Sequence, residues 1–217
     1  MKALIYDGPE AITFREVPEP IPSQDNVLIK IKAVGICGSD MHAYLGHDER
    51  RPAPLILGHE AAGIISGGKR DGERVTINPL VSCGDCLVCK ARRENICPNR
   101  QIISMPPREG AFAQYVSMPE KNLVIVPNDY PLEKAALVEP LAVGWHTAKL
   151  AVRALDVTME KRALVIGGGA IGLATALALK AMGIDDLTIS EFNPLRRENL
   201  LHHIDANVVE KAEGSFP

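Results

Sequence analysis

Apolar and polar residues alternate over short stretches through the first 126 residues, at 2–6, 12–16, 27–34, 62–66, 74–78, 112–117 and 123–126, with Gly, Pro, Asn and Asp between them. Successive side chains of a strand point to opposite faces, so this pattern predicts half-buried β-strands. So many short strands separated by turn residues predict a barrel or sandwich. From about Pro131 the texture changes: 132–138 and 140–154 are alanine-rich with helical spacing and read as a helical linker. A strand (162–166), a glycine turn, a helix (172–182), a strand (187–190), a helix (194–202) and a short strand (207–209) follow. That alternation predicts a parallel α/β sheet. The fold class is therefore mixed β and α/β, in two domains, 1–150 and 151–217.

Composition sharpens this picture in two places. With 4% aromatic residues, 18 glycines and 16 prolines, the core must be largely aliphatic and the chain rich in turns. Lys plus Arg is 24 against 27 for Asp plus Glu, a formal net charge of -3, which offers no general attraction to nucleic acid or an anionic membrane. Neither partner is expected. Residues 1–14 carry Asp7 and Glu10 and lack the continuous apolar stretch of a secretory signal, so a cytoplasmic location is expected. The uncharged segment 163–179 is broken by Gly167, Gly168 and Gly169, and a strand followed by a helix explains it better than a membrane span.

Four of the five cysteines fall within fifteen residues, as Cys83-x2-Cys86-x2-Cys89-x7-Cys97. An odd count without a secretion signal argues for metal rather than disulfides. Four thiolates converging from one compact loop satisfy a closed tetrahedral zinc site, which leaves no open position and is structural. Binding energies of about 10–16 kcal/mol for such sites would hold a loop that has little apolar core of its own.

A second, dispersed cluster comprises Cys37 after a strand, His59 and Glu60 in LGHEA, and Glu139 opening a helical stretch. Cys, His and carboxylate ligands with one vacant position are what catalytic zinc uses. Ser39 and His42 follow Cys37 at a spacing suited to one helical turn, where a hydroxyl and an imidazole can pass a proton to solvent. Their plain alternative is a helix-capping serine and a surface histidine.

Gly167-x-Gly169-x-x-Gly172 follows a predicted strand and opens a predicted helix, the context of a dinucleotide fingerprint. Glycines there let backbone N–H groups and the helix N-terminus approach a pyrophosphate. Glu191, at the end of the next strand, is placed to accept hydrogen bonds from the adenosine ribose, and a carboxylate there repels a 2′-phosphate, which favours NAD over NADP. Arg196 and Arg197 follow closely; an arginine near the ribose can accommodate that phosphate, but a solvated helix face is the preferred reading of this pair.

Together, GICGSDMH (35–42), GHE (58–60), the four-cysteine lobe, EPL (139–141) and GGGAIG (167–172) resemble the zinc-dependent medium-chain alcohol and polyol dehydrogenases, in order along the chain. The resemblance implies a GroES-like barrel as catalytic domain, followed by a Rossmann domain for a nicotinamide cofactor. It implies Cys37 and His59 as catalytic zinc ligands, with Glu60 or Glu139 as the third. It also implies Ser39 and His42 as the proton relay, and a homo-oligomer at full length. Glutamate at 139, where alcohol dehydrogenases of this type often have cysteine, resembles the sorbitol, threonine and sugar-acid branch. Two departures stand out: 63–75 looks shorter than the family's hairpin, and the 55 residues from 163 to 217 suffice for about three strands of a six-strand dinucleotide domain. The Rossmann part is therefore expected to be incomplete.

The expectation is an oxidoreductase that converts a secondary alcohol of a small polyol, sugar acid or similar compound to a ketone, with one catalytic and one structural zinc and with NAD as hydride acceptor. The alternative is a truncated, zinc-stabilised fragment or interaction module without turnover. A zinc-free quinone reductase is disfavoured by Cys37, His59 and the cysteine lobe.

Overall fold

Strand formation follows the apolar alternation closely. The computed structural model describes residues 1–23, 25–155 and 161–212, and the chain divides into two compact units, Met1–Glu139 and Pro140–Pro217. In the first unit, β1 (Lys2–Gly8) buries Ala3 and Ile5 and pairs antiparallel with β2 (Ala11–Glu16) and with β4 (Leu55–Ile56). A five-stranded antiparallel sheet in the order β10-β6-β5-β3-β9 forms the body of the unit. Its members are β3 (Asn26–Gly35), β5 (Glu60–Ser66), β6 (Arg74–Ile77), β9 (Tyr115–Pro119) and β10 (Leu123–Ile125). Ile29, Ile65, Val75, Ile103 and Met118 are almost fully buried at its centre. Aliphatic side chains thus make the core, as the scarcity of aromatic residues requires.

Three details depart from the expected elements. The strand expected at 112–117 begins at Tyr115, because the N–H groups of Gly110, Ala111 and Phe112 are committed to the carbonyls of Ile56, Gly58 and Leu57. The short strands β4, β7 (Leu80–Val81) and β8 (Gln101–Ile102) have two residues each, too few for any alternation to announce them. The third is the helix α5 (Ala170–Ala181), which starts two residues before its expected first residue, so Gly172 lies inside its first turn.

The hairpin across 63–75 is intact despite its length, with Ala62, Gly63 and Ile64 facing Thr76, Val75 and Arg74. Helices α1 (Gly38–Tyr44), α2 (Leu87–Lys90) and α3 (Leu132–Ala136) complete the unit. Among the described residues, no helix is long and apolar enough to cross a membrane.

In the second unit β11 (Arg162–Ile166), β12 (Asp186–Ser190) and β13 (Asn207–Val209) form a parallel sheet in that order, joined through α5 and α6 (Pro194–His203). This is the Rossmann-like part, three strands of it. The helix α4 (Val138–Ala154) carries its Pro140–Ala154 portion into this unit. Ala148 is buried in the same core as Leu179, Ile189 and Leu200. Gly144 lies so close to the Ala174 and Thr175 backbone of α5 that a Cβ would collide. That close packing brings the division of the chain to the start of α4, ahead of the expected boundary at 150.

Candidate active site and metal centres

Cys37 lies two residues beyond β3 and caps α1, with the backbone extended at φ -81° and ψ 154°. The backbone N–H of Cys37 donates to Asp40 Oδ2 at 2.9 Å, a contact that closes the helix N-terminus and fixes the cysteine. His59 and Glu60 arrive from the adjacent strand, because the β3–β5 register sets Gly35 opposite Glu60. A side chain at Gly35 would run into the Glu60 carboxylate, so glycine at this position leaves room for that group. Cys37, His59 and Glu60 each offer a ligand atom, and these atoms all lie within 4.8 Å of one another. His59 and Glu60 are buried and Cys37 half-buried.

Asp40 backs this group and is itself 3% exposed. One of its oxygens lies 3.6 Å from His59 Nδ1, and the same oxygen accepts the Gly58 N–H at 3.1 Å. Among the described residues, the buried His59 Nδ1 has no hydrogen-bond partner. Burial pushes the imidazole towards neutrality, but Asp40 and Cys37 outweigh it and hold its pKa up at about 10. The imidazole, in turn, pulls the Cys37 thiol below its ordinary range, helped by the hydroxyl and N–H of Ser39. Burial raises the Asp40 carboxyl, yet His59 and the N–H groups of Cys37 and Gly58 bring it below its ordinary value on balance. A cation is therefore favoured at the point where thiolate, imidazole and carboxylate converge. A soft thiolate, an imidazole and one carboxylate make a three-ligand set that suits a catalytic zinc, and a carboxylate behind the histidine is the usual support for a ligating imidazole.

Glu139 stands outside that convergent group. It feels the charges of Glu60 and Asp40, which add to burial in raising its carboxyl above the usual range, against the opposing pull of His59. Between the two glutamates that the sequence left open, the geometry brings Glu60 to Cys37 and His59.

Ser39 is half-buried and His42 exposed on α1. Among the described residues, no hydrogen bond joins them; the hydroxyl of Ser39 accepts from Arg51 Nη2.

The four-cysteine lobe closes on itself. Sulfur separations of 3.9 Å for Cys83–Cys89, 3.9 Å for Cys86–Cys97 and 3.5 Å for Cys97–Cys83 match the spacing of about 3.8 Å that tetrahedral zinc with Zn–S near 2.3 Å imposes. Cys86 caps α2, which carries Cys89. Cys89 and Cys97 are buried, while Cys83 is exposed.

In the second unit the glycine turn runs from β11 into α5. Gly167 adopts φ +96°, Gly169 caps α5, and Gly172 sits against the Gly167 carbonyl with no room for a Cβ. Glu191 follows β12 and is 7% exposed; its two oxygens accept the N–H groups of Gly168 and Asn193, each at 2.7 Å. Those two bonds hold its carboxyl below the ordinary range. Arg197 is tied to the carbonyls of Glu191 and Phe192, whereas Arg196 is exposed, 3.8 Å from Glu191 Oε2.

Asp40 and Arg51 are what sequence reasoning missed. Asp40 lies within the GICGSDMH stretch, three residues after Cys37, and that capping spacing was the available signal. Nothing in the run Glu49-Arg50-Arg51-Pro52 distinguishes a buried arginine from an exposed one.

Residues 23–128 match the alcohol dehydrogenase GroES-like domain. The chain is 38% identical over 207 residues to a sorbitol dehydrogenase of Bacillus subtilis, covering 91% of this chain and 58% of the relative. The chain is similar to the zinc-type alcohol and polyol dehydrogenases. An L-galactonate-5-dehydrogenase of Escherichia coli is 34% identical over 222 residues, covering 100% of this chain and 63% of its own length. A crystal structure of a short chain alcohol dehydrogenase of Escherichia coli complexed with the cofactor NADH superimposes with a TM-score of 0.86 at 30% identity, over 97% of this chain and 62% of that one. The chain thus spans about three fifths of the length of the curated relatives it matches.

Proposed function

We propose that this chain carries the metal centres and the nicotinamide-side turn of a zinc- and NAD-dependent dehydrogenase that oxidises a secondary alcohol of a small polyol or sugar acid. The observation that carries this reading is the convergence of Cys37, His59 and Glu60, with Asp40 behind the histidine. These three residues would hold the catalytic zinc, and Cys83, Cys86, Cys89 and Cys97 would hold a structural one. A zinc held there would supply a Lewis acid for an alcohol oxygen, and a bound nicotinamide would supply the hydride acceptor.

Ser39, beside Cys37, takes up the hydroxyl proton, and His42 on the exposed side of α1 delivers it to solvent. Such general acid–base assistance is typically worth about 10²–10⁴ in rate. Gly167, Gly169 and Gly172 open the backbone to the cofactor pyrophosphate, and Glu191 meets the adenosine ribose. Each Glu191 oxygen retains a lone pair beyond the backbone bond it accepts, so ribose hydroxyls can share it. Sorbitol and L-galactonate, named for two relatives, set the substrate class: a polyhydroxylated small molecule. Association into a homo-oligomer is part of the same family-based reading.

Elemental analysis of the zinc-replete protein, together with fluorescence titration by NADH, tests this. Two equivalents of zinc per chain are expected, falling to one in a Cys37→Ala, His59→Ala double variant, with saturable NADH binding in both. One equivalent in both proteins would remove the catalytic site from the proposal.

A further inference from the structure

Arg51 is 3% exposed, an unusual depth for a cation, and it lies outside the group of Cys37, His59 and Glu60. Its guanidinium ties together three separate stretches of chain. Nε donates to the Ser104 carbonyl at 2.9 Å. Nη1 donates to the Ser39 carbonyl at 3.3 Å and to Asp48 Oδ2 at 2.6 Å, and Nη2 reaches Ser39 Oγ at 3.4 Å. Ser104 is fully buried with φ +68°, and its hydroxyl stands 3.5 Å from Asp40 Oδ1. Arg51 therefore grips Ser39, two residues along the chain from Cys37, and is two residues removed from His59 through Ser104 and Asp40.

The direction of these bonds matters. A guanidinium can only donate, so Ser39 Oγ accepts from Arg51 and must give its own proton elsewhere. Asp48, with its side chain largely buried, compensates the Arg51 charge and also binds Arg50. A lysine could keep the positive charge but not the planar fork that spans Ser39, Asp48 and Ser104 at once.

We propose that Arg51 is a positioning residue for the Cys37/His59/Glu60 site: it holds Ser39, two residues along the chain from Cys37, through both its carbonyl and its hydroxyl oxygen, and it anchors the Ser104–Asp40 support behind His59. This rests on the reading of that trio as a metal centre. Outer-sphere partners of metal ligands typically change affinity or activity by about 10–100-fold.

The test is cobalt(II) titration of the full chain, following thiolate-to-cobalt absorption, with the four-cysteine lobe as reference in the same molecule and Cys37→Ser as the spectroscopic blank for the trio. The parent should bind two equivalents. Arg51→Met should weaken the trio by about 10–100-fold while the lobe binds as before. Arg51→Lys should recover thermal stability more fully than cobalt affinity, and it decides the matter if Arg51→Met does not fold. Parent-like affinity of the trio in either folded variant overturns the proposal, as does a parallel loss at both metal sites. A parent that binds cobalt only at the lobe would overturn the metal reading itself. Two equivalents in the parent with unchanged variants would overturn only the role of Arg51.

Discussion

The two cysteine-bearing sites of the first unit are built on opposite principles. The lobe draws its four ligands from residues 83–97, one short loop with the four-residue helix α2, and leaves Cys83 exposed. The Cys37 site draws its ligands from the N-cap of α1, just beyond β3, and from the entry into β5, and it is backed by a network of buried charge, Asp40 and Arg51. Local ligands can close around a metal without help from the sheet, so the metal itself organises the loop. Dispersed ligands need the sheet first. In return they can leave one side open, as a reaction requires, since no loop has to wrap the ion completely.

The largest expected effect breaks this contrast at its long-range end. His59→Ala should abolish metal binding at the trio and leave the lobe filled, so zinc content should fall from two equivalents to one with little change in the protease sensitivity of 83–97. Loss of both metals would mean that the two sites are not independent. At the local end, Cys97→Ser should expose 83–100 to limited proteolysis, because a zinc-binding energy of about 10–16 kcal/mol is what orders such a loop. The five-stranded sheet should survive, which circular dichroism of the variant would check. A lobe that resists cleavage after zinc removal would show that it folds on apolar contacts instead.

An intermediate effect is expected from Asp40→Asn, which keeps shape but removes the charge facing His59. Zinc affinity at the trio should drop by about 10–100-fold in a competition titration against a chelator, with the lobe unchanged. The smallest effect extends the contrast to the second unit, where Glu191 joins the glycine turn to the start of α6. The N–H groups of Asn193 and Gly168 hold its carboxyl below the unfolded value of about 4.3. Its contribution to stability is therefore complete above that value and is lost as pH falls through the lower folded pKa. Glu191→Gln should flatten the acid side of the stability profile below about pH 4 and leave the profile at neutral pH nearly parallel to the parent's. An unchanged acid limb would mean that the two backbone bonds carry no differential stability.

Much of the fold was legible because its signals are local. The strands at 162–166 and 207–209 appear with those bounds, and the helix expected at 194–202 runs one residue further, to His203. Period-two and period-3.6 patterns need only neighbouring residues, and Asn193 followed by Pro194 marks a helix start by itself. The spacing of Cys83, Cys86, Cys89 and Cys97 likewise contained its own geometry. The strand at 112–117 misled because its first residues satisfy their N–H groups across 56–58, a pairing invisible to a local window.

What the sequence determined by itself, then, is the order of elements, the four-thiolate lobe and the glycine turn, since each depends on separations of a few residues that backbone geometry converts directly into distances. Only the tertiary structure decided that Glu60 joins Cys37 and His59 while Glu139 stands apart, that Asp40 faces the imidazole, and that Arg51 is buried where Arg50 is exposed. Those outcomes depend on the register of β3 against β5 and on which side of a packed loop each side chain lies. A shift of one residue in that register would turn Glu60 to the other face of its strand, and nothing in the spacing along the chain records which register the core selects.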